Sequence, residues 1–309
     1  MYADVMPYQP TAISSDPLLT TSFSDMPLLR RGKDKDVYDL GDVLLMISTD
    51  RLSAAGKCLD QGVTGKGKIV NLLSAYWFRK LKSIAPNHFI SADTRCYPQP
   101  IRNRVDDLDD RSMLVWKTTP IPVCCIVRGY LAGAGWRDYQ ERGEICGNKL
   151  PKGMLESQRL PAPVFAPMIK KAPDDVPENI DFNSLQRLLG TPLAEQLRDT
   201  SLRLYYNAWK AARKKGVLIA DTKFEFGRHD GKLMLIDECL TPDTSRFWQL
   251  SEYKPGAPLA SMDKQILSDY LESLDTPENI PRLPERMLRT LREKYNESYI
   301  RIIGSATGQ

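Results

Sequence analysis

The stretch from Gly216 to Trp248 reads GVLIADTKFEFGRHDGKLMLIDECLTPDTSRFW. Two segments rich in apolar residues, Val217–Phe226 and Lys232–Cys239, flank the glycine-containing segment 227–231, and this pattern predicts a β-hairpin. Because alternate side chains of a strand share a face, the first strand is expected to present three charged side chains on one face and three others on the opposite face. The charged set is Asp221, Lys223 and Glu225, and the opposite set is Thr222, Phe224 and Phe226.

Acidic residues also end the second strand of this hairpin. Asp237 and Glu238 precede a proline-containing loop at residues 241–246. Oxygen ligands from two neighbouring strands suit Mg²⁺, which takes one or two carboxylates and completes its shell with water and phosphate oxygens. A lysine between the acids would neutralise the charge of a transferred phosphate. The alternative is a solvated strand face of alternating charge, which the acids on the second strand make less favoured.

The motifs of this hairpin resemble the signature of the SAICAR synthetase family. They are Asp221-Thr222-Lys223-Phe224-Glu225-Phe226-Gly227, Asp237-Glu238, Thr241-Pro242-Asp243 and Ser245-Arg246-Phe247-Trp248. The resemblance extends over roughly residues 28–303. It implies an α+β, two-lobed fold, in which an N-terminal antiparallel β lobe with a kinase- or ATP-grasp-like nucleotide cleft joins a larger α+β lobe. It also implies an ATP-dependent carboxylate–amine ligase: a carboxylate is activated as an acyl phosphate, and the amine of an amino acid then attacks it.

The resemblance assigns roles to individual positions. Asp221 and Lys223 would act at the reacting carboxylate and phosphate. Lys33, Lys35, Glu225 and Asp237 would bind ATP, and Glu225 and Asp237 would also hold Mg²⁺. The substrates, a phosphoribosyl aminoimidazole-type carboxylate and an amino acid, would be bound by Arg128, Arg246, Ser245, Asp263, Lys264 and Ser53. The two arginines suit the ribotide phosphate, since a guanidinium binds such groups in a bidentate manner.

Four segments are expected along the chain. Residues 1–25 are rich in Ser, Thr, Pro and Asp and predict a flexible leader. The nucleotide lobe is expected at residues 26–115, the substrate and metal lobe at 116–260, and C-terminal helices that pack back on both lobes at 261–309. Apolar residues at helical spacing predict helices at Ile69–Leu81, Leu193–Lys215, Asp263–Leu274 and Glu285–Ile303.

The segment Gly62–Ile69, GVTGKGKI, nearly matches the P-loop pattern G-x-x-x-x-G-K-[ST]. Ile69 stands where the hydroxyl that binds Mg²⁺ belongs. We therefore interpret the glycines as a turn before the first helix and not as a phosphate-binding loop.

Composition and charge exclude several classes of protein. The 43 basic and 39 acidic residues give a net charge of +4, too mild and dispersed to indicate nucleic-acid binding. No apolar run approaches the roughly 18 residues of a membrane span, and the N-terminus lacks the pattern of a secretory signal. The six cysteines show no C-x-x-C spacing, and two histidines are too few for a histidine-based metal site. We expect a cytoplasmic monomer or homodimer without nucleic-acid or membrane partners.

Several positions depart from the family pattern, each replacing a polar residue by an apolar or smaller one. They are Gly56, Cys124 or Cys125, Ala134, Met168, Ile169 and Val176-Pro177. A buried hydrogen bond contributes about 0.5–1.5 kcal/mol, so several lost together would weaken substrate binding by orders of magnitude.

These departures lead us to expect a repurposed ligase. It would keep the activation chemistry but use a substrate pair other than carboxyaminoimidazole ribotide (CAIR) and aspartate, in specialised metabolism. Two alternatives remain open. One is an ordinary purine-biosynthetic SAICAR synthetase that joins CAIR and L-aspartate, and the other is a non-catalytic ATP-binding regulatory or scaffold protein.

Overall fold

The computed structural model describes residues 16–54, 57–99, 101–104, 108–170, 177–274 and 280–304. The first part of the chain contributes β1 (Leu28–Arg31), β2 (Lys35–Asp39), β3 (Val43–Ser48), β4 (Arg51–Ala54), β5 (Lys57–Gly62), α1 (Lys66–Leu81), β6 (Phe89–Ser91) and β7 (Ser112–Trp116). The second part contributes β8 (Thr119–Tyr130), α2 (Gly133–Arg142), β9 (Glu144–Ile145), β10 (Asn148–Lys149), β11 (Arg159–Ile169), β12 (Glu178–Asn179), α3 (Phe182–Leu189), α4 (Thr191–Arg213), β13 (Val217–His229), β14 (Lys232–Ile236), β15 (Ser245–Gln249), α5 (Gln265–Glu272) and α6 (Glu285–Ile303).

The first sheet has five antiparallel strands in the order β1-β2-β3-β7-β6. The hairpin β2–β3 turns at Gly41-Asp42, and Gly41 takes the left-handed conformation with φ 90°. Helix α1 packs on this sheet through Trp77 and Phe78, which are buried against residues such as Val37. The N-terminal part of the chain therefore has the antiparallel β character that the sequence predicts.

Helix α1 begins at Lys66, three residues before the predicted start. Gly65 precedes it in the left-handed conformation, with φ 84°. A Cβ atom on Gly67 would lie 2.2 Å from the carbonyl oxygen of Ser48, so only glycine allows the first turn to lie this close to β3. The glycines of the near-P-loop thus serve a turn and a close backbone approach.

The second sheet has six strands, with β13 near its centre. The order is β12-β11-β8-β13-β14, and β15 also pairs with β13. The predicted hairpin is present, but its turn is tighter than expected: β13 continues to His229, and only Asp230 and Gly231 connect the strands, with φ values of 49° and 72°. Two consecutive left-handed residues are typical of a type I′ hairpin turn.

Strand β13 alternates between two environments. Thr222, Phe224 and Phe226 are at most 1% exposed, and the phenylalanines belong to the core formed with α4. The charged residues at the intervening positions are only partly buried and face the other way. The sequence-predicted separation of the two faces is therefore confirmed.

The two sheets share one continuous hydrophobic core. The chain passes from the first sheet to the second between Trp116 and Thr119, where β7 ends and β8 begins. Helix α6, which has the bounds that the sequence predicts, packs against α1 and buries Tyr295 and Ile302. None of the described helices has the length and apolar composition of a membrane-spanning segment.

The N-terminal segment 16–26 differs from the expected flexible leader. The backbone N–H of Leu18 donates to Asp50 at 2.9 Å, and the N–H and hydroxyl of Thr21 both donate to Asp36 at 2.8 Å. Because these carboxylates are buried, their acceptor oxygens take partners from the segment, and the segment is held against the first sheet. Leu18 and Thr21 thus attach this part of the predicted leader to the first sheet, and residues 1–15 lie outside the described part.

Asp36 carries a testable consequence for stability. Its carboxylate is fully buried and also accepts from Arg51 Nη2 at 2.8 Å. Asp36→Ala is expected to lower the free energy of unfolding by about 3–5 kcal/mol, because it leaves a buried guanidinium without its counter-charge. Urea denaturation measures the change, and the exposed Asp42→Ala serves as control. A loss below about 1 kcal/mol would show that water replaces the carboxylate.

Candidate active site

The register of the second sheet brings charged residues from three strands onto one face. Directly opposite residues of antiparallel strands point to the same side. Asp221 on β13 lies opposite Arg128 on β8 and Arg246 on β15. Further along, Glu225 lies opposite Cys124 on β8 and Ile236 on β14.

Asp221 holds the two arginines together. Arg128 Nη1 lies 2.9 Å and Arg246 Nη1 lies 3.2 Å from the same carboxylate oxygen, Oδ2. Arg128 Nε is a buried donor that has no hydrogen-bond partner among the residues that the structure describes. A Cβ on Gly133 would lie 2.5 Å from Arg246 Nη2, so glycine at the start of α2 makes room for this guanidinium. The pair can therefore bind an anion.

Glu225 is bound by two lysines. Lys223 Nζ lies 2.7 Å from its Oε1, and Lys170 Nζ lies 2.9 Å from both carboxylate oxygens. Burial alone would raise the pKa of Glu225, but the ammonium group of Lys223 holds it below the ordinary value. Sequence reasoning gave Lys170 no role. Lys170 directly follows β11, which pairs with β8, and this position is the feature from which its role could have been predicted.

Lys35 connects the two sheets. Its Nζ lies 2.7 Å from Glu238 Oε2 and 3.3 Å from Asp237 Oδ1. Burial would lower the pKa of Lys35, but these two carboxylates hold it well above its usual range. Asp237 and Leu240 both have positive φ, 63° and 54°, which is costly for a leucine. The loop after β14 thus keeps a strained backbone while its acids bind a lysine of the first sheet.

The cleft between the sheets consists of two adjoining cavities. A polar cavity of about 300 Å³ lies against the turn before β2 and the charged face of β13. An apolar cavity of about 540 Å³ adjoins it, with aliphatic walls that include Val37, Met46 and Ile236. The two share Arg30, Lys170, Glu225 and Asp237. An apolar compartment next to a cation-rich one suits a nucleotide, with its base in the first and its phosphates in the second.

Glu225 and Asp237 fit a magnesium ion as two carboxylate ligands that line the polar cavity. Within the described ranges, no group of three or more His, Cys, Asp or Glu side chains is arranged to hold a metal by itself. An ion at these two carboxylates would therefore take its other ligands from water and phosphate, as Mg²⁺ commonly does.

Two of the expected substrate-binding residues are used inside the fold. Ser245 pairs with Thr222 on the core-facing side of the sheet, and their hydroxyls lie 2.7 Å apart. Asp263 is 5% exposed and accepts from the backbone N–H groups of Phe247 and Gln265 at 3.1 and 2.8 Å. Both residues flank Arg246 through these internal hydrogen bonds, and the substrate contact expected of them stays a prediction.

Lys264 and Ser53 lie beside the cleft. Lys264 Nζ is 3.4 Å from Asp243 Oδ1 and 3.5 Å from the carbonyl oxygen of Ser53. The hydroxyl of Ser53 lies 3.1 and 3.2 Å from the carboxylate oxygens of Asp34. Ser53 therefore reaches the polar cavity through Asp34, whereas Lys264 contacts the buried Asp243. Sequence reasoning gave neither acid a role.

The positions that depart from the family pattern are not all in the cleft. Cys124 lines the polar cavity, with Sγ 3.8 Å from Glu225 Oε1, whereas Cys125 is fully buried in the core. Pro177 also lines the polar cavity, and Met168 pairs with β12. Gly56 and Val176 lie outside the described residues.

Comparisons with known proteins agree with this geometry. A family model described as SAICAR synthetase matches residues 28–283. Phosphoribosylaminoimidazole-succinocarboxamide synthase of Geotalea uraniireducens is 46% identical over 289 residues, which cover 93% of this chain and 98% of that protein. The enzyme of the same name from Thermodesulfovibrio yellowstonii is 48% identical over 284 residues, covering 91% and 97%. The structure of the SAICAR synthase from Saccharomyces cerevisiae complexed with SAICAR matches with a TM-score of 0.80 and 35% identity, covering 94% of this chain and 99% of that one.

Fold, site and matches together define the class: an ATP-dependent carbon–nitrogen ligase of purine biosynthesis. The chain belongs to the SAICAR synthetase family. These matches favour the ordinary enzyme over the repurposed ligase, because close relatives that carry the ordinary name align over nearly their whole length.

Asp263 gives the site a pH-dependent contribution to stability. Burial raises the pKa of Asp263 to about 6, above its ordinary value of 3.8. The folded state therefore penalises the charged carboxylate above pH 6, and the penalty decreases as the pH falls towards 4. Between pH 8 and pH 5 the wild type is expected to gain about 1 kcal/mol of unfolding free energy relative to Asp263→Asn. Urea denaturation at both pH values checks this, and an equal pH dependence of the two proteins would contradict it.

Proposed function

We propose that the protein is a SAICAR synthetase that joins CAIR to L-aspartate, with cleavage of ATP to ADP and phosphate, in the cytoplasm. The observation that carries the proposal is the shared oxygen of Asp221, which holds Arg128 and Arg246 as an anion site on the same strand face as Lys223 and Glu225. A single ribotide substrate would thus place its phosphate at the arginine pair and its carboxylate near Lys223, on one face of the same sheet.

The adjoining cavities support ATP as the nucleotide. The base would occupy the apolar cavity, and the triphosphate would lie in the polar cavity among Lys33, Lys35, Lys170 and Lys223. Electrostatic stabilisation by fixed cations is the main contribution a protein makes to phosphoryl transfer. Glu225 and Asp237 would hold Mg²⁺, which when bound spreads the charge that develops on the phosphates.

The reaction then requires two displacements. An oxygen of the CAIR carboxylate attacks the γ-phosphorus, the bond to ADP breaks, and an acyl phosphate forms. The aspartate amine attacks the acyl carbon, phosphate leaves with the bonding pair, and the nitrogen loses a proton. Burial would lower the pKa of Lys223, but Glu225 and its acidic neighbours hold the pKa well above the ordinary value. Lys223 is therefore cationic and stabilises charge on the transferred phosphoryl group; it is not the base.

Asp221 orients the substrate through its arginines. The buried, unpartnered Nε of Arg128 and the guanidinium of Arg246 would bind the ribotide phosphate. A charged hydrogen bond contributes about 1.5–3 kcal/mol, so two of them would hold the ribotide firmly. The carboxylate of CAIR would then be directed along the strand face towards Lys223.

Product formation from the ordinary substrates tests the proposal. Purified protein with CAIR, L-aspartate and Mg-ATP is expected to form SAICAR and ADP in equal amounts, measured by chromatography. Omission of either co-substrate should suppress both products. Absence of SAICAR, together with ATP-dependent amide formation from a different carboxylate or amine, would overturn the proposal in favour of a repurposed ligase.

Glu225→Gln tests the metal and phosphate assignment. It removes one carboxylate charge from the polar cavity and is expected to lower kcat at least about 100-fold, since loss of a charge-stabilising group costs about 3 kcal/mol in the transition state. The melting temperature should remain close to wild type. The matched control is Glu272→Gln, whose side chain pairs with Arg137 at the surface. Near-normal turnover in Glu225→Gln would remove Glu225 from the metal site.

A further inference from the structure

Lys66, one of two lysines in the segment Gly62–Ile69, has no role in the proposed reaction, yet its side chain is almost fully buried beside the cleft. Lys66 is 1% exposed, and its Nζ lies 2.7 Å from Asp243 Oδ2, 3.1 Å from Asp34 Oδ1 and 2.8 Å from the carbonyl oxygen of Arg51. Asp243 in turn accepts from the hydroxyl of Tyr295 at 2.5 Å. Lys66 therefore joins Asp34, which lines the polar cavity, to Asp243, which is buried in the loop after β14.

One of these acids stands between the two lysines expected to bind phosphate. Asp34 lies in the turn between β1 and β2, with Lys33 before it and Lys35 after it, and all three line the polar cavity. Its carbonyl oxygen accepts from both the N–H and the hydroxyl of Thr49 at 2.9 Å. A carboxylate directed at a triphosphate would repel it. Instead the Asp34 side chain is only 22% exposed and contacts Lys66 and Ser53.

Two sets of ion pairs thus connect this part of the chain to the acidic loop, residues 237–243. In one set Lys35 supplies the cation, and in the other Asp34 supplies a carboxylate. At the start of the loop, Lys35 contacts Asp237 and Glu238. At its end, Asp34 reaches Asp243 through Lys66. Thr244, the residue after this loop, accepts from the backbone N–H of Lys223 at 2.8 Å and so connects the end of the loop to the reacting strand.

The two links respond differently to a nucleotide. A bound triphosphate would compete with Asp237 and Glu238 for Lys35, because it brings several negative charges to the same ammonium group. It does not compete for Lys66, whose side chain is 1% exposed and, unlike Lys35, does not line the polar cavity. The Asp34–Lys66 link is therefore the one that persists when Lys35 contacts phosphate.

We propose that Asp34 is a positioning residue, which through Lys66 keeps the phosphate-binding turn docked on the acidic loop while Lys35 is engaged by ATP. This inference rests on the proposed function. Without the link, the turn would lose its alignment with Lys223, and the activated carboxylate would be exposed to water. ATP would then be consumed without amide formation.

The test compares Asp34→Asn, which keeps the size of the side chain but removes its charge, with wild type. We expect Mg-ADP to bind about 10-fold more weakly by calorimetry, and at least two ADP to be released for each amide formed, against one in wild type. The melting temperature should change little, since Lys66 keeps Asp243. Asp34→Glu restores the charge and should recover both values to within about 3-fold. Asp42→Asn, at the exposed turn of the neighbouring hairpin, is the matched control.

Two results would overturn the proposal. In the first, Asp34→Asn matches Asp42→Asn in both ADP affinity and the ratio of ADP to amide. In the second, affinity falls but the ratio stays at one, which would make Asp34 a simple contributor to nucleotide binding. The calorimetric measurement requires no turnover. A wild type that makes no SAICAR would therefore overturn the proposed function, whereas equal Mg-ADP affinities of Asp34→Asn and Asp42→Asn would overturn the inference about Asp34.

Discussion

The structure depends on compensation of buried charge between its two sheets. Lys35 and Lys66 come from the N-terminal part of the chain, whereas the acids that they meet, Asp237, Glu238 and Asp243, follow β14 in the second sheet. Buried ion pairs are weak contributors to net stability, since apolar residues of similar volume often do as well. Their presence at the cleft is therefore better explained by the polar surface that a charged ligand needs. Substituting one partner alone leaves a buried charge without its counter-charge and lowers the free energy of unfolding, so single substitutions in these pairs are poorly tolerated.

Local sequence patterns predicted which side chains of β13 face the cleft, but they did not predict contacts between residues that are far apart in the chain. The period-two alternation of β13 correctly separated Asp221, Lys223 and Glu225 from the core, because strand geometry fixes that choice. The hairpin, α6 and the character of the first sheet followed for similar local reasons. Asp34, Lys66 and Lys170 were missed because each contacts a residue far away in the chain, and no short pattern encodes such a pairing.

The expectation of a repurposed ligase shows why departures from a family pattern cannot be interpreted from the sequence alone. It treated each departure as a lost substrate contact and added the losses together. Cys125 is in the core, so its replacement of a polar residue says nothing about the cleft. Ser245 and Asp263, conversely, match the family pattern yet serve internal hydrogen bonds. Cys124 and Pro177 remain as departures that line the polar cavity.

The N-terminal segment 16–26 has a consequence for how the chain tolerates shortening. Asp50, which accepts from the backbone of Leu18, also accepts from the N–H of Gly67 at 2.8 Å, in the first turn of α1. Asp36, which holds Thr21, also binds Arg51, whose carbonyl oxygen contacts Lys66. Proteolytic trimming up to residue 22 would remove the hydrogen bonds that Leu18 and Thr21 donate to these two buried carboxylates and loosen the start of α1. The segment from residue 16 onwards, although its composition resembles that of a flexible terminus, therefore supports the residues beneath the proposed nucleotide site.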